Sequence, residues 1–404
     1  MQDIVILGST GSIGTQALDI VRAHPGHFRV QGLAASGRHL DVLARQAVEF
    51  EVPMVAVANG SVGELDEAIR EAEIQLGKPR ASHNLLTGPA GVEAAAGFVP
   101  QGIVLNAIAG ISGLHATLRA LDSGARLALA NKESLVIGGS LVRDALRRPG
   151  QIVPVDSEHS AIWQALRSGK HERGLCSPTV TGYSEVERLI LTASGGPFRS
   201  KTRAELEHVT VEQALNHPTW DMGPLVTVNS ATMFNKGLEV IEASLLFDIE
   251  PKDIDVVVHP GSIVHSMVQF RDGATLLQAS PPDMRIPIAL GLSAPARLRE
   301  VAPACDWSSA ATWQFEPLNE SIFPAVSLAR QAISASDTHP AVLASADEIA
   351  VNAFLDGRLP FLGIYDVVQQ VVSEHHGVSD PDLSALEHIL DWAKQRAVAL
   401  IENR

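Results

Sequence analysis

Cysteine is nearly absent from this chain. Among 404 residues only Cys176 and Cys305 occur, too few for a disulfide framework or a multi-cysteine zinc centre. Both read as ordinary residues of a reducing compartment. Basic charge is scarce as well. The 31 Lys and Arg residues against 46 Asp and Glu leave a net charge of −15. That argues against general nucleic-acid binding, although it leaves room for a local basic pocket that takes phosphates. No unbroken apolar run reaches the roughly 18 residues of a membrane-spanning helix, so no membrane partner is expected. Met1-Gln2-Asp3-Ile4-Val5 runs directly into a strand pattern, which leaves no room for a signal or transit peptide, and the expected location is the cytoplasm. Internal repeats and low-complexity tracts are also missing. What the chain does have is 46% hydrophobic and 19% charged residues, enough for a large core and, at about 150 residues per domain, two or three domains.

The first part alternates short apolar runs with helical patterns. Strands are expected at Ile4–Leu7, Arg29–Ala34, Met54–Val57, Ile103–Ala107, Arg126–Ala130 and Ile152–Val155. Such alternation is the signature of a Rossmann-type doubly wound parallel sheet over residues 1–155. The middle reads as an α+β unit over 156–291. Its expected strands are Leu189–Ala193, Asp255–His259, Val264–Phe270 and Ala274–Ala279, the last two joined by the hairpin signal Asp272-Gly273. A single helical pattern runs from about Ala231 to Phe247. An Ala-, Pro- and Ser-rich stretch, 292–316, reads as a connector. Beyond it, 317–404 carries helical spacing at Ile322–Ser334, Pro340–Leu355, Leu362–Glu374 and Asp382–Ile401, a small helical bundle. The expected fold class is therefore α/β, with a central α+β domain and a C-terminal helical bundle.

Strand Ile4–Leu7 is followed by Gly8-Ser9-Thr10-Gly11-Ser12-Ile13-Gly14 and then by helical spacing. Glycines there permit a tight turn and let the backbone approach a pyrophosphate, while the new helix's N–H groups face the anion. The spacing G-x-x-G-x-x-G is less usual than G-x-G-x-x-G, and a plain Gly-rich turn is the alternative; the position between first strand and first helix favours a nucleotide. The second strand ends in Ala35-Ser36-Gly37-Arg38-His39 with no acidic residue to meet a ribose 2′-hydroxyl. Arg38 suits a 2′-phosphate, which favours NADP over NAD; a solvated surface arginine is the alternative.

Strand Ile152–Val155 ends in Asp156-Ser157-Glu158-His159. In an extended chain Asp156 and Glu158 share a face and can address one cation, although a D-x-E pair is also a common solvated strand end. A second cluster lies in Ser230-Ala231-Thr232-Met233-Phe234-Asn235-Lys236-Gly237-Leu238-Glu239. On a helix Asn235, Lys236 and Glu239 share a face. The bland reading is a surface Lys236–Glu239 pair. The chemical one is a phosphate held by Ser230, Asn235 and Lys236, with Glu239 as a third oxygen ligand. Three carboxylates suit Mg2+ or Mn2+ better than zinc. Ser194-Gly195-Gly196-Pro197-Phe198 is a candidate anion nest or simply a tight turn. Asn216-His217-Pro218-Thr219-Trp220-Asp221-Met222-Gly223 reads as a lid or as a surface loop anchored by its Trp. His265, alone in an apolar strand, reads as a satisfied core histidine. Asn131-Lys132-Glu133-Ser134 closes strand Arg126–Ala130 at the ligand edge.

The stretches GSTGSIGTQALD, ALANKES, VPVDSEHSAI, LTASGGPF, HPTWDMG, NSATMFNKGLEVIEA and HPGSIVHSMVQF, in that order, resemble the 1-deoxy-D-xylulose 5-phosphate reductoisomerase family. They run from residue 8 to about 270. The resemblance implies an NADPH- and metal-dependent, homodimeric enzyme of isoprenoid precursor synthesis acting on a small phosphorylated sugar. The metal would be Mn2+ or Mg2+, with Co2+ a further candidate. It implies Asp156, Glu158 and Glu239 as metal ligands. Ser157, Ser194, His217, Ser230, Asn235 and Lys236 would hold the substrate, chiefly its phosphate, with Lys132 at the substrate and Trp220 and Met222 covering it. Gly8, Thr10, Gly11, Ser12 and Ile13 would take the pyrophosphate side of NADPH; Gly37, Arg38 and His39 the adenosine end; Asn131, Glu133 and Gly223 further cofactor contacts. His159 and His265 match family histidines near the site. The implied chemistry breaks and rejoins a carbon–carbon bond, and hydride from NADPH then gives 2-C-methyl-D-erythritol 4-phosphate. Two stretches depart from the family's usual form: Ser36–His39, and Lys170–Glu187, which is longer and is expected to be a surface insertion without effect on the chemistry.

Two rivals share parts of this pattern. A semialdehyde or homoserine dehydrogenase explains the first loop but not three spaced carboxylates beside a phosphate cluster, and neither cysteine sits in a turn suited to a nucleophile. A cofactor-sensing binding protein would not need Asp156, Glu158, Lys236 and Glu239 together.

Overall fold

The computed structural model describes residues 1–220 and 222–404; Asp221 of the lid motif lies outside the described residues. The chain forms two units. The first comprises Met1–Ser134, Asp144–Asp156 and Asp283–Ala302; the second comprises Leu135–Arg143, Ser157–Pro282 and Pro303–Arg404.

Ile4 to Leu7 is apolar without alternation, and all four side chains are fully buried. That is what a strand covered on both faces requires. It belongs to Gln2–Leu7 (β1), which pairs in parallel with Phe28–Ala35 (β2) and Ile103–Asn106 (β5). Met54–Val57 (β3), Asn84–Thr87 (β4), Arg126–Leu129 (β6) and Ile152–Pro154 (β7) complete a seven-stranded parallel sheet in the order β4-β3-β2-β1-β5-β6-β7. Strand order reverses between β1 and β5, so the crevice at the carboxyl ends of these two strands is the natural ligand position. The expected strands are all present. β4 is not among the expected strands: it is as short as β3, but only Leu85 and Leu86 of Asn84-Leu85-Leu86-Thr87 are apolar, as suits a partly exposed edge strand.

The expected connector 292–316 does not begin as a loop. Helix Arg285–Ser293 buries Ile288, Ala289 and Leu292 in the first unit's core, and that unit continues to Ala302. A Cβ on Gly291 would lie 2.8 Å from Val155 and 3.3 Å from Ala128, so this glycine lets the helix backbone lie close against β7 and β6. Arg126 donates to the carbonyls of Leu292 and Ala294 at the helix's C-terminal end.

In the second unit Val186–Ala193 (β8), Ile254–Val258 (β9), Val264–Phe270 (β10), Thr275–Ala279 (β11) and Glu316–Pro317 (β12) form a mixed sheet in the order β11-β10-β8-β9-β12. Only β8 and β9 run parallel; the other pairs are antiparallel. The Asp272-Gly273 hairpin forms as expected: Gly273 takes φ +88° and Asp272 Oδ1 accepts the Ala274 N–H at 2.9 Å. The expected helix Ala231–Phe247 is two helices, Pro224–Thr232 and Phe234–Phe247, because Met233 adopts a left-handed conformation (φ 67°) between them.

The Lys170–Glu187 segment is more than a surface insertion. Cys176 within it is buried, and a Cβ on Gly174 would lie 2.3 Å from the Leu246 carbonyl. His171 donates to the Phe247 carbonyl at 2.7 Å, and the Cys176 N–H reaches Leu246 O at 3.3 Å. The segment thus satisfies carbonyls that the end of helix Phe234–Phe247 would otherwise leave unpaired. Burial pushes the Cys176 thiol well up, with Glu242 adding to it, so the thiol stays protonated and inert.

Helices Ala325–Ala335, His339–Leu355, Phe361–Glu374 and Leu383–Glu402 form the C-terminal helical part. Here His375 is held at about 4 rather than 6.5, chiefly by burial and further by His339 and His376. A histidine kept neutral in the fold binds fewer protons than the unfolded chain does. Its contribution is complete above about pH 6.5 and is lost as pH falls from there through about 4. The melting temperature should therefore decline between pH 6.5 and 5, and His375→Gln should flatten that decline; an identical slope in the variant would clear His375 of the effect.

Candidate active site

At the ligand edge of the first unit, β1 runs into the loop Gly8–Gly14 and then helix Ser12–Ala23. Gly8 takes φ +82°, and a Cβ there would lie 2.5 Å from Ala107 O at the end of β5. A Cβ on Gly14 would lie 2.3 Å from Gly8 O and 2.5 Å from Ser9 Cα. Gly11 caps the helix in an extended conformation, its N–H donating to Gly8 O at 3.0 Å. The helix's first-turn N–H groups therefore open beside a backbone with no side chain to fend off an anion. Ser9 is fully buried, while Thr10 and Ile13 are partly buried and Ser12 exposed.

After β2, Gly37 takes φ +99° against Asn59 O, and Arg38 and His39 are exposed. After β6, Asn131 is buried; its Oδ1 accepts the Ser134 N–H, and its Nδ2 donates to the carbonyls of Ile108 and Gly110. Asn131 thereby caps helix Lys132–Asp144, and its side chain is committed to the backbone. Glu133 lies in that helix's first turn. Lys132, nearly buried, pairs with Asp156 at 2.7 Å.

The second unit opens at Ser157. Here the expected geometry needs correcting: β7 stops at Pro154, and Glu158 sits in the first turn of helix Ser157–Ala165 rather than on an extended strand. Ser157 Oγ donates to Glu158 Oε2 at 2.6 Å. Helix Phe234–Phe247 supplies the answering charges. Asn235 Nδ2 donates to Glu239 Oε1 at 2.5 Å, and the Lys236 ammonium lies between Glu158 Oε1 at 2.7 Å and Glu239 Oε2. The i, i+3 and i, i+4 spacing operates as read, but the surface-pair reading fails: Lys236 is 4% and Glu239 1% exposed. Burial works to strip the Lys236 proton, yet the two carboxylates outweigh it and hold the lysine above its ordinary value.

Ser194 follows β8 and meets His217 of the lid motif: Ser194 Oγ and His217 Nε2 are 2.9 Å apart. His217 Nδ1 accepts the N–H groups of Thr219 and Trp220 at 3.1 and 2.9 Å. Burial lowers the His217 pKa, favouring the neutral ring. With Nδ1 an acceptor, the ring proton sits on Nε2 and points at Ser194. Ser194 Oγ also accepts the Gly196 N–H at 3.2 Å, so its own hydrogen is left to donate to a ligand. A Cβ on Gly196 would lie 2.7 Å from Ser230 O, so the Ser194–Gly196 turn abuts Ser230. Trp220 is half-buried with its ring centroid 6.2 Å from that of His265. His265 is buried, and its Nε2 donates to Ser280 O at 3.1 Å. Gly223 caps helix Pro224–Thr232, and Thr227 Oγ1 donates to the carbonyls of Gly223 and Met222.

Two buried groups beside this cluster were not singled out from the sequence. Glu242, fully buried, lies 3.2 Å from His159 Nδ1, and His159 Nε2 donates to the Glu239 carbonyl at 2.9 Å. Its i+3 spacing from Glu239 was the available signal. Asn229, next to Ser230, bonds Asp347 over a sequence distance that no local pattern reveals.

A dinucleotide loop on a parallel sheet, followed by buried carboxylates, a lysine and anion donors, defines a nucleotide-dependent oxidoreductase assisted by a divalent cation. Family models described as 1-deoxy-D-xylulose 5-phosphate reductoisomerase, the C-terminal domain of that enzyme, and DXP reductoisomerase C-terminal domain match residues 4–139, 152–247 and 279–396. The chain belongs to the 1-deoxy-D-xylulose 5-phosphate reductoisomerase family. The reductoisomerase of Beutenbergia cavernae is 56% identical over 404 residues, covering 99% of this chain and 97% of the relative. That of Bifidobacterium longum subsp. infantis is 56% identical over 372 residues, 92% and 89% of the two chains. The Zymomonas mobilis enzyme, solved in complex with NADPH, superposes with a TM-score of 0.86 at 36% identity, covering both chains completely. A DOX-P reductoisomerase solved with NADPH, fosmidomycin and magnesium gives 0.87 at 33% identity, covering 100% of this chain and 98% of that one. This chain is accordingly an NADPH-dependent, divalent-metal-dependent oxidoreductase.

Proposed function

We propose that Asp156, Glu158 and Glu239 hold the divalent cation while this chain converts 1-deoxy-D-xylulose 5-phosphate into 2-C-methyl-D-erythritol 4-phosphate with NADPH, a step toward isoprenoid precursors. One observation carries the assignment: Glu158 and Glu239 share a single buried ammonium, Lys236 Nζ. Two carboxylates around one ammonium leave a net negative charge for a cation to answer, and an all-oxygen donor set fits Mg2+ or Mn2+. Asp156 is two residues before Glu158 along the chain. The glycine cradle at Gly8 and Gly14 fits a pyrophosphate on the same footing. When bound, the cation supplies a Lewis acid for the substrate's neighbouring oxygens, and NADPH supplies hydride.

The chain's own residues do the rest. Ser194, with its proton aimed outward by His217 and Gly196, donates to the phosphate together with Ser230, Asn235 and Lys236; Ser157 and Lys132 address the sugar end. This phosphate is remote from the reacting carbons, so its binding energy positions them. Trp220 and Met222 cover the substrate and keep water out, with Gly223 beside the cofactor. Thr10, Gly11, Ser12 and Ile13 face the NADPH pyrophosphate; Gly37, Arg38 and His39 the 2′-phosphorylated adenosine; Asn131 and Glu133 add further cofactor contacts. Among the described residues no helix is long and apolar enough to cross a membrane. We further propose a cytoplasmic homodimer, a reading supported by Leu276 and Leu277, exposed on edge strand β11.

The test is NADPH consumption with 1-deoxy-D-xylulose 5-phosphate in Mn2+ or Mg2+, repeated with chelator. Metal-dependent consumption that yields the branched product is expected, from a preparation eluting at twice the chain mass. Consumption that survives complete chelation would remove the carboxylates from this role.

A further inference from the structure

We infer that Asp347 is a positioning residue for the substrate's phosphate, acting from the C-terminal helices through Asn229; this rests on the assignment of Ser230 above. Helix His339–Leu355 is built from Ala, Val, Leu, Ile and Phe around Asp347, which is 2% exposed. An aspartate there is disfavoured twice, by helix propensity and by loss of water around a carboxylate. A hydrophobic residue would pack as well; what a carboxylate adds is a directional anchor. Its Oδ2 accepts from Asn229 Nδ2 at 2.6 Å, shorter than an ordinary N–H···O bond, in the direction an ionised acceptor favours.

Asn229 is itself buried and immediately precedes Ser230. Its helix, Pro224–Thr232, has no side-chain cap at its start and ends at the left-handed Met233, directly before helix Phe234–Phe247. Three parts of the site therefore meet on this short helix. The lid carbonyls of Met222 and Gly223 are held by Thr227, Ser230 backs onto Gly196, and the Asn235–Glu239 turn follows Met233. Because all three are joined to Pro224–Thr232, a rotation of this helix would shift them together. The Asn229–Asp347 bond fixes that rotation against a helix more than a hundred residues later in the chain.

Asp347→Asn removes the charge and keeps the shape. We expect the dissociation constant for 1-deoxy-D-xylulose 5-phosphate, measured calorimetrically, and the KM to rise about tenfold, the scale of one charge-assisted bond. The kcat should fall by a smaller factor, because the phosphate's seat helps to position the reacting carbons, whereas the NADPH dissociation constant should stay within about twofold, because the proposed pyrophosphate and adenosine contacts lie in the first unit. Asn229→Asp alone should be worse, since two carboxylates then face each other. The exchanged pair, Asn229→Asp with Asp347→Asn, restores one amide and one carboxylate and should bring substrate affinity back to within about threefold of wild type. Unmoved substrate affinity in folded Asp347→Asn, or an exchanged pair that regains melting temperature but not affinity, would reduce Asp347 to packing and overturn the inference. Ser230→Ala separates the two failures. Normal affinity there removes the phosphate reading of Ser230 and this inference with it. Weakened Ser230→Ala beside unmoved Asp347→Asn overturns the coupling alone.

Discussion

Lys236→Met should give a protein whose stability depends on divalent cation. In the native chain one ammonium answers both Glu158 and Glu239, and Glu239 is 1% exposed. Removing one partner of a buried ion pair costs about 3–5 kcal/mol, because the remaining charge is left uncompensated. Glu158 keeps some access to water, which draws the figure toward the lower end. In chelator the variant's melting temperature should therefore fall by roughly 10 °C. Excess Mg2+ should recover most of that loss, and much more than it adds to wild type, because a cation between the two carboxylates replaces the missing charge. Turnover should not return with it, since on the proposed assignment the lysine also holds the substrate's phosphate. A calorimetric scan in which Mg2+ raises variant and wild type equally would show that these carboxylates do not share a cation.

Gly14→Ala should damage the other half of the chemistry and spare this one. The added methyl would meet Gly8 O at 2.3 Å and Ser9 Cα at 2.5 Å. Both are backbone atoms of the loop proposed to face the pyrophosphate, so neither can rotate aside. Overpacking of this kind costs up to about 3 kcal/mol. If the loop absorbs that cost by opening, NADPH affinity falls about 100-fold. Quenching or enhancement of NADPH fluorescence on titration measures it directly. The Mg2+-dependent rise in melting temperature should persist, because the carboxylates of the second unit are untouched. An NADPH dissociation constant within threefold of wild type would mean that the loop does not carry the pyrophosphate.

Much of this was legible in the sequence because local spacing and local chemistry coincide. The parallel strands announced themselves as short runs buried on both faces, and Gly8, Gly11 and Gly14 stand at a strand–helix junction. Asn235, Lys236 and Glu239 share a face at any helical register, so their meeting required no tertiary knowledge. What stayed hidden depended on the third dimension. Whether the Lys236–Glu239 pair was superficial or buried turns on what packs over it, which spacing does not encode. Asp156 is a favoured N-cap residue and Glu158 an acidic first-turn residue, so a helix start is written there, but the apolar run Ile152–Val155 just before it makes an extended reading compete. Met233 breaks a helical pattern without glycine or proline, and a left-handed methionine carries no sequence mark. Edge strand β4 is no shorter than β3, but with polar residues at both ends and only Leu85 and Leu86 apolar it leaves no continuous apolar run to read. Helix Arg285–Ser293 looked like the approach to a connector because its partners, Val155 and Ala128, lie more than a hundred residues earlier.

That returning helix bears on how the polypeptide matures as it leaves the ribosome. The nucleotide-binding sheet is drawn from the beginning of the chain, yet Ile288, Ala289 and Leu292 belong to its core. Until about residue 302 has been translated and released from the exit tunnel, apolar side chains of the first 155 residues lack their cover. For most of that interval the nascent protein presents a sticky surface of the sort that chaperones hold. By the same token, a fragment cut at the end of β7 is not a miniature cofactor-binding module, and pieces of this enzyme meant for expression on their own need the later helix restored in cis or supplied in trans.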